Sequence, residues 1–396
     1  MSQRTPSSVL ALTGAGEPFR LLFPLGTALG IAGVSLWPLF AAGWLEVYPA
    51  VAHTRIMIQG FLGAFVVGFL GTALPRLLEV PRIGLGATLG FGACLVVLSG
   101  MHAVGLTVAG DALFLTVLTV FFVVLAERAR QRKDTPPPGF VLVAMGMACA
   151  WAGTALLVVD GWGAALPASV YALARLFAWQ GFLLLPVMGI GAFLLPRFFG
   201  LPNRPAFPAL LMPTPEWKQR AAFAAGCGAA VLAGFVLEAF GWTRTGSGLR
   251  AVFVLVYFAR EVPVHRARGV SGGLAVGLRL ALVSVPLGYA VTAAFPAWQL
   301  AWVHIIFITG FSLLTFTVAS RVLLGHSGQS HRFRDGHPAV LVLSGCFIAA
   351  LVVRLAADFH ADQRFLLYAV SGVVWVTGAV VWAAASLPAI RYADDE

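Results

Sequence analysis

Several side chains capable of metal or proton chemistry lie inside apolar stretches of this chain. Residues 50–76 read AVAHTRIMIQGFLGAFVVGFLGTALPR, with His53, Arg55 and Met57 on alternate positions near the start. His304 occupies a similar place in a second apolar stretch. Ionisable groups are costly in hydrocarbon, so an apolar segment that retains them usually has a use for them. These residues are therefore candidates for a functional site.

The histidines suit the axial coordination of a haem iron, which needs two neutral imidazoles facing each other across an apolar cavity. Arg55 and Arg175 suit the two propionates, whose charge would otherwise be buried unpaired. Met57 lies one helical turn after His53, and such a pair on one face can hold copper or haem iron. From spacing alone, hydrogen bonding between helices explains His53 and His304 equally well, and packing is the favoured role of Met57.

The remaining histidines are weaker candidates. For His102, in SGMHAVG, a hydrogen bond between helices is favoured over ligation. His326, His331 and His337 share one loop, but their spacings of five and six residues fit no standard metal site, so solvation at the surface is favoured. A further candidate metal cluster lies near the end of the chain, at Asp358, His360 and Asp362.

The composition indicates a membrane protein. The chain is 59% hydrophobic and 11% charged, with a mean hydropathy of +0.89, whereas soluble domains carry about 25% charged residues. The net charge of +10 resides in short loops between apolar segments, which argues for orientation signals and against nucleic-acid binding. The four cysteines lie singly in apolar runs, which argues against disulfides and thiolate zinc sites.

The apolar stretches predict an all-α integral membrane protein forming a single polytopic domain over residues 1–396. A helix needs about 20 apolar residues to cross a bilayer. Breaks at proline, glycine and charge clusters predict twelve such helices, at residues 19–43, 50–75, 84–106, 108–126, 139–160, 168–196, 220–240, 247–262, 270–294, 297–322, 338–358 and 364–389.

The basic residues predict the orientation. With the N-terminus inside, nineteen Lys and Arg lie in cytoplasmic segments and four in external ones, as the positive-inside rule requires. Both termini are then cytoplasmic. The N-terminal residues lack a signal-peptide core, so the first apolar segment is expected to be retained.

Three of the predicted helices resemble one another. GFLGAFVVGFLGTALPR at 60–76 and GFLLLPVMGIGAFLLPR at 181–197 share a Gly-Phe pair and a Pro-Arg pair at equal spacing, and Gly-Phe recurs at 310–311. The intervals of 121 and 129 residues predict three four-helix units, over 19–126, 139–262 and 270–389. His53, Arg175 and His304 precede their Gly-Phe pairs by seven, six and six residues, so they are expected at nearly one depth near the outer surface.

These motifs resemble the NnrS family of membrane proteins. Residues 53–76 look like its histidine-to-methionine motif, residues 304–328 like its motif of a histidine followed by an arginine and Gly-His-Ser-Gly, and residues 191–199 like a weaker segment. The resemblance covers the whole chain and carries over His53, Met57, His304, Arg321 and His326. It implies haem and copper, a bacterial inner membrane, and a role in nitric oxide stress and denitrification.

The first motif departs from the family pattern. Family members typically read His-x-His-Glu-Met, whereas this chain has Arg55 and Ile56 in place of the second histidine and the glutamate. If those two side chains belong to a copper site, this chain lacks them, so copper is less supported than haem. The resemblance leaves His326 as a candidate metal ligand.

The arrangement is also similar to the large subunit of haem–copper oxidases, which has twelve helices in three arcs. There, helices two and ten supply the axial histidines of a haem near the outer face, which favours His53 and His304. This chain has no adjacent His-His pair after the sixth predicted helix and no second histidine beside His304. An oxygen-reducing binuclear centre is therefore not expected.

Two functions are carried forward. The first is a protein that binds haem, expected to be of b-type, and interacts with nitric oxide or with a redox partner. The sequence does not specify whether it is an enzyme. The second is a transporter or channel for a metal ion, haem or a small solute, which Pro186 and Pro286 favour if they break helices. A third outcome is a chain that kept the fold and lost the cofactor. The oligomeric state is left open.

Overall fold

The computed structural model describes residues 7–201, 212–267, 269–329 and 337–393, and these residues contain helices and no strand. A long helix lies at each of the twelve predicted positions. After a short helix, Val9–Gly14, they are α1 (Phe19–Ala41), α2 (Ala50–Leu77), α3 (Leu85–Ala103), α4 (Thr107–Arg130), α5 (Phe140–Ala164), α6 (Ala168–Phe198), α7 (Pro215–Ala239), α8 (Thr243–Glu261), α9 (Gly273–Ala294), α10 (Pro296–Gly325), α11 (Pro338–Phe359) and α12 (Ala361–Arg391).

Eleven of these helices are long and apolar enough to cross a membrane, within the described ranges. The chain is therefore an α-helical, multi-pass membrane protein. The exception is α8, which is 19 residues long but carries Arg244, Arg250, Arg260 and Glu261. The prediction of twelve membrane-spanning helices is thus supported for eleven by length and composition.

Three helices occupy the centre of the bundle. In α2, α6 and α10, 78%, 67% and 67% of the most apolar stretch is buried, against 39–56% in the other eight apolar helices. The remaining helices pack against their neighbours in sequence around these three, and α12 packs against α1, which closes the ring. A helix surrounded by other helices can carry polar side chains away from lipid, so the central helices are where a site is expected.

Each central helix contains a π-helical turn at the same place. The turns are Ile56–Leu62 in α2, Phe177–Gly181 in α6 and Ile305–Ser312 in α10. Each begins one to three residues after the histidine or arginine that the sequence singled out, and ends at or just after the Gly-Phe pair. Such turns are rare and occur frequently at functional sites.

The prolines inside the helices do not break them. Pro186 lies within α6 and Pro286 within α9, and both helices continue through. In membrane helices, neighbouring helices and local adjustments satisfy the backbone groups that proline frees. The broken helices that would have favoured a transporter are therefore not found at these two positions.

A glycine on α1 allows α2 to approach closely. A side chain at Gly33 would meet Ile56 at 2.9 Å and the sulfur of Met57 at 3.2 Å. The Gly33 carbonyl is also a hydrogen-bond partner of His53. The small residue thus positions the start of the α2 π-helical turn, and with it the histidine.

Candidate functional site

A cavity of about 410 Å³ lies between the first halves of the three central helices, and we call it the histidine cavity. It brings together four of the residues singled out in the sequence, namely His53, Met57, Arg175 and His304. Aromatic side chains form much of the rest of its wall, namely Trp37, Tyr48, Trp179, Tyr289, Phe307, Tyr368 and Trp375. Its volume lies within the ~300–1,000 Å³ typical of ligand and cofactor pockets.

Both cavity histidines have their ring fixed by a backbone carbonyl. The Nδ1–H of His53 donates to the Gly33 oxygen at 3.0 Å, and that of His304 to the Leu300 oxygen at 2.7 Å. A carbonyl can only accept, so each neutral ring holds its proton on Nδ1 and keeps the Nε2 lone pair free. This is the usual arrangement of a metal-binding histidine, whose second nitrogen donates to a carbonyl or carboxylate.

The cavity wall carries three arginines that differ in their partners. Arg250 pairs with Glu238, and the Nη1 of Arg354 donates to Asp358 at 2.8 Å. Among the described residues, no carboxylate pairs with Arg175, whose guanidinium lies 4.5 Å from the ring centroid of Trp179. The cavity therefore presents a cation that can receive an anionic group of a ligand.

Side chains from α6 to α9 form a polar cluster in the same wall of the histidine cavity. The Nη1 of Arg250 donates to the side-chain oxygen of Gln180 at 3.3 Å, and the Tyr289 hydroxyl donates to that oxygen at 2.9 Å. Ser247 donates to Glu238 at 3.1 Å. Gln180 lies in the α6 π-helical turn, so this turn joins α6 to α8 and α9. Arg250 is only 1% exposed.

Arg55 and His102 do not line the histidine cavity. The Nε of Arg55 donates to both carboxylate oxygens of Asp111, at 3.1 and 3.0 Å, and Gln59 donates to the first of them at 2.6 Å. His102 donates from Nε2 to the side-chain oxygen of Gln59 at 2.8 Å. Four polar side chains from α2, α3 and α4 thus form one buried network beside the cavity, in which Asp111 is the partner of Arg55.

Asp111 and Gln59 are the members of this network that the sequence analysis missed. Asp111 lies in the first turns of α4, where it looked like a helix-end charge, but it is only 1% exposed. Asp111 on α4 and Arg55 on α2 are expected at a similar depth in the membrane. Two opposite charges at one depth of neighbouring helices are the signal that could have revealed the pair.

His326 lies at the opposite end of α10 from His304, about 33 Å away at 1.5 Å rise per residue. Its Nδ1–H donates to Glu17 at 3.0 Å, and Glu17 also pairs with Arg20 and Arg76. Burial alone would raise the pKa of Glu17, but the hydrogen bond from His326 and the charge of Arg20 outweigh it and lower the pKa to about 2. The structure does not bring His326 together with His53 and His304.

The other histidines of the sequence analysis lie apart. His331 is outside the described residues, and His337 is buried with Nε2 3.1 Å from the Ser386 hydroxyl. Over the described parts of the chain, no three His, Cys, Asp or Glu side chains form a group that could hold a metal ion. The cluster proposed at Asp358, His360 and Asp362 is therefore not found among these residues. Asp358 instead accepts from Arg354 and Tyr368.

The donor set of the histidine cavity fits a haem. It offers two imidazoles with free Nε2 atoms, aromatic faces and an arginine that pairs with no carboxylate of the described residues. These groups would hold the iron, the ring and a propionate. It offers no third imidazole or carboxylate beside His53, since Arg55 and Ile56 occupy those positions. The residues present therefore fit an iron porphyrin better than a mononuclear copper site.

Comparisons with known proteins agree with the motifs in the sequence. No curated protein matches the chain. A family model described as NnrS protein matches residues 15–392, which is nearly the whole chain and includes every helix of the bundle. The chain belongs to the NnrS family.

Proposed function

We propose that this protein binds a haem of b-type in the histidine cavity, with His53 and His304 as the two axial ligands. We also propose that it serves the response to nitric oxide, or denitrification, in a bacterial inner membrane. The observation that carries the proposal is the pair of imidazoles on two central helices that line one cavity, each with Nδ1 bound to a carbonyl.

The residues around the cavity have distinct roles in this proposal. His53 and His304 hold the iron, and Arg175 receives a propionate, because its charge has no carboxylate partner among the described residues. Trp179 and Trp375 offer flat apolar surfaces to the ring. Arg55 acts indirectly, through its ion pair with Asp111, by holding α2 against α4. A haem held here would supply one-electron chemistry, and it would bind a diatomic gas once one of the two histidines had left the iron.

The same proposal includes the architecture of three four-helix units. The π-helical turns at equivalent places in α2, α6 and α10, and the burial of these three helices, support a repeat. We propose that α8 also crosses the membrane. It packs against both α7 and α9, and its buried Arg250 is neutralised by Glu238. The even number of crossings then places both termini on the same side of the membrane, which the distribution of Lys and Arg assigns to the cytoplasm.

The test is an ultraviolet–visible spectrum of the purified protein, oxidised and reduced, after expression with ample haem supply. We expect a Soret band with sharp reduced α and β bands in the wild type, and their loss or displacement in His53→Ala and His304→Ala. The matched control is His360→Ala, since His360 makes the same Nδ1 bond to a carbonyl four residues earlier, at Ala356, but is exposed.

Two results would contradict the proposal. A folded but colourless wild type would exclude haem and leave transport of a metal ion or small solute as the function to pursue. A spectrum that is unchanged in both cavity variants would show that the haem lies elsewhere. Titration with nitric oxide, monitored in the same bands, then tests the physiological role.

A further inference from the structure

A second cavity, of about 110 Å³, lies between the same three central helices, and we call it the apolar cavity. Its wall consists mainly of the segments of α2, α6 and α10 from the end of their π-helical turns onward, with Phe23 of α1 beside them. Representative side chains are Phe65 of α2, Val187 of α6 and Val318 of α10. The three units thus contribute equivalent segments to it, as they do to the histidine cavity.

The two cavities adjoin one another along the axis of the bundle. Leu62, the last residue of the α2 π-helical turn, lines both of them. On α10 the residues of the histidine cavity end at Ser312, and those of the apolar cavity run from Phe311 to Ala319. The Leu62 side chain is therefore part of the wall between the two cavities.

The wall of the apolar cavity excludes most ligands. Thr315 is the one residue with a polar side chain among the described residues that line it, and none of them is ionisable. A buried water needs two to four polar partners, so this space does not favour ordered water. An ion or a sugar would lose its hydration without replacement, which is prohibitive. An uncharged apolar molecule has no such hydration to lose on entering the apolar cavity.

The volume narrows the choice further. A dry protein cavity of roughly 150 Å³ lined by apolar side chains holds one benzene molecule or one xenon atom. At about 110 Å³, the apolar cavity is about a quarter of the volume of the histidine cavity, and it is too small for a porphyrin. A molecule of a few heavy atoms fits.

We propose that the apolar cavity is a binding site for one small uncharged apolar molecule, of the class of the diatomic gases. Its position against Leu62 lets the bound molecule exchange with the histidine cavity. The proposal that the bound molecule reaches a haem rests on the function proposed above. The occupancy of the apolar cavity does not, because its wall contains neither His53 nor His304.

The experiment is diffraction from xenon-pressurised crystals of the full-length protein, since xenon is located by its anomalous scattering. We expect a xenon peak between α2, α6 and α10 in the wild type and its loss in Val187→Phe and in Val318→Phe, whose rings fill the cavity. The matched control is Val283→Phe, which adds the same ring at an exposed position of α9 (60% exposed) and should keep the peak.

The outcomes separate this inference from the proposed function. A His53→Ala protein that has lost its colour but keeps the xenon peak supports the site independently of the haem. A wild type with no xenon in this cavity, or with ordered water or detergent density there, would overturn the inference even if the Soret band is present. The wild-type result is decisive even if the two phenylalanine variants fail to fold.

Discussion

A histidine gains its role from its surroundings rather than from its local hydrogen bond. His304 donates Nδ1–H to the carbonyl of Leu300, and His360 donates to that of Ala356, each four residues earlier. His304 faces a cavity shared with His53, whereas His360 is exposed. The same helical geometry therefore produces a ligand candidate in one place and a solvated side chain in the other.

The buried pair of Arg55 and Asp111 shows how this chain satisfies charge within the bundle. The two side chains are 10% and 2% exposed, so both are largely removed from solvent. Removing one partner of such a pair leaves an uncompensated charge, whereas replacing both by apolar groups is often neutral. The pair is thus better described as a specific contact between α2 and α4 than as a large source of stability.

This contrast makes a prediction at the residue scale. We expect Asp111→Asn to lower the free energy of unfolding in detergent by about 3–5 kcal/mol, because Arg55 stays charged and buried. The double variant Arg55→Met with Asp111→Leu should recover most of that loss. Asp362→Asn, at an exposed position, is the control. Equal stability of wild type and Asp111→Asn in a chemical unfolding titration would contradict the role given to this pair.

Among the elements, the π-helical turns decide which side chains face the cavity. A π turn closes its hydrogen bond over one more residue than an α turn, so it changes the direction of everything that precedes it. His53, Arg175 and His304 all precede such a turn in their helices. A straight α-helix drawn from the sequence would aim these side chains differently.

Deleting one residue from the α10 turn tests this effect. Loss of Ile308 should convert the turn to α-helix and rotate the segment that carries His304 by about 100°. We expect the haem content per protein to fall sharply. Deleting Gly163, in the π-helical turn that ends α5 and does not line the histidine cavity, should leave haem content unchanged. A deletion of Ile308 that retains full haem would show that the turn does not position His304.

On the scale of the whole molecule, one ionic cluster joins the two ends of the chain. Arg20 donates to the carbonyls of Ile390 and Tyr392, at 2.7 and 2.8 Å, and to that of His326 at 2.7 Å. Glu17 pairs with Arg20 and, through Arg76, reaches the end of α2. The cluster thereby fixes α1, α2, α10 and α12 to one another, where the ring of helices closes.

The cluster predicts how stability depends on acid. The pKa of Glu17 lies at about 2, below its ordinary 4.5, so the stabilisation is complete above about pH 4.5 and is lost as pH falls through about 2. We expect Glu17→Gln to lower the free energy of unfolding at pH 6 by on the order of 3 kcal/mol at most. Between pH 5 and 2, the free energy of unfolding should fall less in this variant than in the wild type. Thermal unfolding across this range is the measurement.

The exposed Glu127 of α4 provides the matched substitution, because Glu127→Gln removes a carboxylate that has no such partners among the described residues. This variant should unfold at the same temperature as the wild type at every pH. If Glu17→Gln also follows the wild type, the cluster does not hold the ends of the chain together.

Much of the fold was predictable from the sequence because the bilayer imposes a simple physical rule. A crossing helix must be about 20 residues long and apolar, and it must hydrogen-bond its own backbone. The helix at every predicted position, the family motifs, and the candidates His53 and His304 followed from that rule and from local residue patterns. The prediction that α8 is as apolar as the other helices was wrong. The four charged residues along α8 could have shown this.

The sequence by itself determined which segments are helices, that they form a membrane protein, and which rare polar residues to consider. Only the tertiary structure decided that Arg175 lines the histidine cavity while Arg55 is bound to Asp111, and that two adjoining cavities lie between the three central helices. The physical reason is that helix formation depends on local composition, whereas the direction of a side chain depends on π-helical turns and on packing between distant helices.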